Sequence, residues 1–108
     1  MKIMISQPMN GLSKEQIIKN REEVVKYIES QGDTIIDTVF DFKDMEGVKN
    51  KSVYFLSKAL EKLASADALF CMEGWELARG CRFERDIARS YGIPLYYQED
   101  LMKNNSRI

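Results

Sequence analysis

Four short apolar runs, spaced by longer segments with helical periodicity, limit what this chain can fold into. The runs are Ile3-Met4-Ile5, Thr34-Ile35-Ile36, Ala68-Leu69-Phe70-Cys71-Met72 and Ile93-Pro94-Leu95-Tyr96-Tyr97. Short, continuous apolar stretches suit strands buried on both faces of a sheet. Pro94 near the start of the last run marks an edge position or a first strand residue. Between the runs, apolar residues recur at three- and four-residue spacing. Ser13 with Gln16 forms a capping box that opens a helix to about Gln31, with Ile17, Ile18, Val24, Val25 and Ile28 on its inward stripe. Gly32 stops it. A second helix spans about Ser52 to Ser65, with Val53, Leu56, Leu60, Leu63 and Ala64 inward. A third spans about Gly80 to Tyr91, with Phe83, Ile87 and Tyr91 at four-residue spacing, and ends at Gly92. A short helix over Leu101 and Met102 is expected in the polar tail.

Strands alternating with helices imply an α/β fold, a small flavodoxin- or Rossmann-like three-layer sandwich. Right-handed crossovers favour a four-stranded parallel sheet of order 2-1-3-4 with helices on both faces. At 108 residues this is one domain, spanning 1–108. The order puts the first and third strands side by side at the switch point, where open α/β sheets bind ligands. The loops leaving those strands are Ser6-Gln7-Pro8-Met9-Asn10-Gly11 and Glu73 to Gly80, and both are unusual. The first carries Pro8 and the Asn10-Gly11 turn signal. In the second, a glycine at the strand-to-helix turn, Gly80, lets backbone approach a ligand, and helix N–H groups attract anions. Glu84 lies one turn further on and faces the same crevice. The charged connection from Asp37 to Asn50, with Phe40 and Phe42, reads as a flap.

Composition removes whole classes of chemistry. The chain has no histidine, which excludes Ser–His hydrolysis and histidine-ligated metals. Acid–base work at neutral pH falls to Asp, Glu, Tyr, Cys or Lys. Cys71 and Cys81 lack Cys-x-x-Cys spacing, so no metal site or redox pair is expected, and no cofactor is called for. A net charge of -1 gives nucleic-acid binding no electrostatic support. No apolar run approaches the roughly 20 residues of a membrane span, and the N-terminus turns polar too soon for a secretory signal. A cytoplasmic protein with reduced thiols is expected.

At Ile5 to Gly11, Ala66-Asp67-Ala68 through Gly74-Trp75-Glu76, Arg79-Gly80-Cys81, Glu84 and Gly92-Ile93-Pro94, the chain resembles the nucleoside 2-deoxyribosyltransferase-like proteins. Within them it is most similar to a small DUF4406-like branch of unknown function found often in bacteriophages. The resemblance implies recognition of a nucleoside, a nucleotide or an NAD-derived ligand, and cleavage or transfer at an N-glycosidic bond. It implies Glu84 as nucleophile, with Ser6, Gln7, Pro8, Met9, Asn10, Gly11, Trp75, Glu76, Arg79, Gly80 and Cys81 around the substrate. It also implies a homodimer. Three positions depart from the enzymes' pattern: Met4 stands for a strand tyrosine, Ala59 for a catalytic aspartate and Ala78 for a phosphate-side serine. Asp37, Asp41 and Tyr54 are the candidate replacements for the missing acid.

Alternatives stay open at each position. Glu84 also reads as an exposed helix acid, Trp75 as a packing anchor or a base-stacking ring, and Cys81 as a reactive thiol or a small packing residue. Arg79 and Arg82 bind phosphate or only pair on the surface. Asp67 orients local backbone. A non-catalytic protein that sequesters a nucleotide in the same pocket is the main rival function. A phosphoribohydrolase of the lysine-decarboxylase-like type, echoed by Gly80-Cys81-Arg82-Phe83-Glu84, ranks lower because its preceding glycine pair is absent.

Overall fold

The computed structural model describes residues 1–38 and 46–102. Phe40, Asp41 and Phe42 of the proposed flap lie outside the described residues. The elements run β1 (Lys2–Ser6), α1 (Lys14–Ser30), β2 (Thr34–Ile36), α2 (Lys51–Leu63), β3 (Ala68–Cys71), α3 (Arg79–Ser90), β4 (Leu95–Tyr97) and α4 (Gln98–Leu101), with a 3₁₀ turn at Trp75–Leu77 between β3 and α3. The sheet is ordered β2-β1-β3-β4, and every neighbouring pair is parallel, as the sequence implies.

Strand alternation builds the two outer layers. Ile3, Ile5, Ala68 and Phe70 point to one face and bury against Val24 and Ile28 of α1 and Leu101 of α4. Met4, Leu69 and Cys71 point to the other, against Ala59 and Leu63 of α2 and Ala88 of α3. Each large side chain buried this way stabilises the fold by about 1.5–3 kcal/mol. Asp67, just ahead of β3, accepts the backbone N–H of Lys2 at 2.7 Å, which ties the starts of the two central strands and confirms its orienting role.

The helix boundaries follow local chemistry. The Ser13–Gln16 capping box is present in both directions. Asn50 caps α2 through the N–H of Val53, one signal the sequence reading passed over. Helix facing differs from expectation in three places. Ile18 is exposed, and Arg21 takes a buried place in the α1 stripe. Val53 of α2 and Ala64, its C-cap, are exposed. In α3 the inward residues are Cys81 and Ala88, while Phe83 and Tyr91 are exposed. Small residues let α3 sit close on the sheet, and the bulkier rings are turned outward.

Candidate functional site: a cleft at the carboxyl edge of β1 and β3

Ser6 ends β1 opposite Cys71 of β3, and α3 crosses above both strands. That crossing brings Glu84, 78 residues away in sequence, onto Ser6, whose hydroxyl donates to Glu84 Oε1 at 2.7 Å. Ser6 is fully buried. Burial pushes the Glu84 carboxyl up from 4.5 to about 7, and the Ser6 hydrogen bond acts in the opposite direction. Near neutral pH both protonation states are therefore populated, which suits a group that gives and takes protons or attacks when ionised.

The two unusual loops meet here. Gly74 has φ 89°, and a Cβ added to it would stand 3.6 Å from Cγ of Pro8. The required turn glycine is thus Gly74. Gly80, expected in that role, lies in the first turn of α3 with open space around it. Gln7 is buried, and its Nε2 donates to the carbonyl of Ile17 at 2.8 Å. Its Oε1 has no hydrogen-bond partner among the described residues, which leaves an acceptor beside the loop. Met9, Asn10 and Gly11 continue along the same wall, folded back by the bond from Leu12 N–H to the Met9 carbonyl.

Together these segments line a cleft of about 1430 Å³ that also touches the first turns of α2 and α3. No side chain caps the N-terminus of α3, so its first N–H groups remain available. Lys14, Lys51, Arg79 and Arg82 line the cleft against Glu73 and Glu84. The lining is therefore more basic than the chain as a whole, whose net charge is -1. Leu77 and Phe83 supply exposed apolar surface, at 88% and 48%.

Trp75 and Glu76 stand apart from this lining. The indole packs on Tyr97 with ring centroids 5.6 Å apart, and the Arg85 guanidinium sits 5.3 Å from its centroid. These contacts pack the indole beside the cleft. Glu76 uses its carbonyl to accept from Arg82 Nη1 at 2.8 Å, which holds Arg82 at the cleft edge. Cys81 lines the cleft but is buried, and desolvation raises its thiol to about 11, which removes the reactive-thiolate reading. Ser6 reaches the site through Glu84; it does not itself line the cleft.

Neither of the two described candidate acids lines the cleft. Asp37 lines a different groove, beside Arg21. Tyr54 packs edge-on to Phe55 with the Lys58 ammonium over its ring. Asp41 lies outside the described residues. Thr38, buried and bonded to the Ile5 carbonyl at 3.4 Å, lines the cleft and was not foreseen. Phe83 was missed as lining because apolar residues at helical spacing were assigned to the core, and Leu77 lies in a turn that carries no periodicity. Among the described residues no three His, Cys, Asp or Glu side chains are arranged to hold a metal ion, and no helix is long and apolar enough to cross a membrane.

No curated protein and no solved structure matches the chain. One family does: the model of the family described as "Domain of unknown function (DUF4406)" matches residues 1–97. That match spans every strand and the whole lining of the cleft, and the chain belongs to the DUF4406 family.

Proposed function

We propose that the cleft binds a nucleotide and that Glu84 cleaves or transfers at its N-glycosidic bond. The observation that carries this reading is the Glu84 carboxyl, held by Ser6 at 2.7 Å on the cleft wall and titrating at about 7. The basic lining and the open N-terminus of α3 support an anionic ligand such as a nucleoside monophosphate. Leu77 and Phe83 offer an apolar surface for a base. The similarity to nucleoside 2-deoxyribosyltransferase-like proteins, which use a glutamate at this position, supports the choice of bond.

In this reaction ionised Glu84 forms a bond to C1′ as the C1′–N bond breaks and its electron pair leaves with the base. The leaving base takes its proton from water; among the described residues, Asp37 and Tyr54 do not line the cleft. Water, or a second base, then opens the glycosyl ester. The test is chromatography of free base from each deoxynucleoside and its monophosphate, with Glu84→Ala as control. Release is expected from a monophosphate, lost in the variant and falling as pH drops below about 7. Equal release, or none, from both proteins overturns the catalytic reading.

A second reading has its own support. Ala59 and Ala78 line the cleft with no polar group, and Met4 is buried in the core. These are the positions where the enzymes carry polar side chains. Sequestration of a nucleotide without turnover fits them, and binding with no base release identifies it.

A further inference from the structure

The hydroxyl of Ser6 has more hydrogen-bonding capacity than Glu84 uses. It sits at the end of β1 and is 0% exposed. Its one proton goes to Glu84 Oε1 at 2.7 Å. A hydroxyl also carries two lone pairs, and at a fully buried site the nearest donors to them belong to the protein. The fold brings one such donor. Cys81 and Glu84 stand three residues apart in α3, so both side chains leave the same face of the helix. That face crosses the end of β1, where Glu84 meets Ser6. Cys81 is 3% exposed and shares a hydrogen bond with Ser6. Both Cys81 and Glu84 line the cleft.

Proton counting sets the direction of this chain. Burial pushes the Cys81 thiol up to about 11, so near neutral pH it is an S–H, a weak donor. The Ser6 proton is already on Glu84. The thiol therefore donates to Ser6 Oγ, and Ser6 donates to the carboxylate. Bonds linked in this way polarise one another at low dielectric, so a donor behind Ser6 strengthens its bond to an ionised Glu84. The other ionisable groups that act on this cluster are Cys71 of β3, Arg85 of α3 and Glu76 of the 3₁₀ turn. Cys71 ends β3 opposite Ser6; burial pushes its thiol up to about 12, and it too stays protonated.

We propose that Cys81 is a positioning residue for Glu84: its thiol donates to Ser6 Oγ, directs the single Ser6 proton onto the carboxylate, and so favours the ionised form that attacks. The proposal rests on the reading of Glu84 as nucleophile and extends it to a residue that touches neither substrate nor the carboxylate.

Two readouts test it: the Glu84 titration by carboxyl NMR, and the pH profile of base release from a nucleoside monophosphate. In Cys81→Ala both are expected to move upward by about 0.5 pH unit, which slows release about threefold on the acid limb. Cys81→Ser, whose hydroxyl donates in the same direction, is expected to restore both. A role in packing alone predicts the opposite sign, because space left by the thiol admits water and eases the desolvation that raises Glu84. Cys71→Ala leaves a similar space on β3 but keeps the Cys81 donor, and is expected to give no upward shift. The proposal is overturned if Cys81→Ala titrates at or below wild type, if Cys81→Ser restores nothing, or if Cys71→Ala shifts as far as Cys81→Ala. Base release absent from every protein overturns the nucleophile reading instead; NMR titrations that shift as stated then leave the link from Cys81 through Ser6 to Glu84 standing. Should Cys81→Ala not fold, the Raman S–H stretch of the wild type decides. It shows a band lowered by hydrogen-bond donation that Cys81→Ser lacks, or the proposal fails.

Discussion

Glu84 and Ser6 link stability to pH. With a folded value of about 7 against an ordinary 4.5, the folded protein holds a proton that the unfolded chain releases between those values. The associated stability is full below about 4.5 and is lost as pH rises through 7, on the order of 3 kcal/mol at most given partial exposure. Glu84→Gln is therefore expected to flatten this slope and to be more stable than wild type at pH 8, as measured by urea unfolding across the range. Ser6→Ala removes the one bond that lowers the carboxyl's value. The titration of Glu84, followed by carboxyl NMR, is expected to move further upward, with a stability cost of about 1–3 kcal/mol for the unpaired acceptor. Glu84 was legible in the sequence because it follows a strand, a glycine turn and a helix start in fixed register. Arg21 was not, because helical periodicity assigns a charged residue to the solvated face, and only packing shows it turned inward.

Among the elements, the strands were the most legible. Their apolar runs are short and bounded, and the switch-point order follows from handedness and connection length. The facing of α3 was not legible. Phe83, Ile87 and Tyr91 mimic a buried stripe, but the helix must present Glu84 and Cys81 toward β1, and that rotation exposes Phe83 and Tyr91. The 3₁₀ turn was also hidden, since three residues carry no periodicity and only the left-handed Gly74 before them sets the turn. Gly74→Ala is expected to cost about 1–2 kcal/mol for the left-handed conformation alone, since the added Cβ would meet Pro8 at an ordinary 3.6 Å, measured by chemical unfolding. Ser13→Ala, which breaks the capping box of α1, is expected to cost about 0.5–2 kcal/mol in the same assay.

For the whole molecule, the prediction concerns ligand-linked stability. A nucleoside monophosphate at about 100 times its dissociation constant adds about 2.7 kcal/mol, a rise in melting temperature on the order of 10 °C for a chain of this size. Calorimetry against a nucleotide panel measures it. The shift is expected to shrink with added salt, because Lys51, Arg79 and Arg82 at the cleft are screened by it. The uncharged nucleosides are expected to give smaller shifts that salt barely changes.

The lengths of the strands carry one more consequence. The central β1 and β3 have five and four residues, while the outer β2 and β4 have three each. A rim this brief offers a neighbouring polypeptide few free N–H and C=O groups to zip onto, and β4 runs straight into α4 without a spacer. Short outer strands thus give edge-to-edge pairing between copies little to hold.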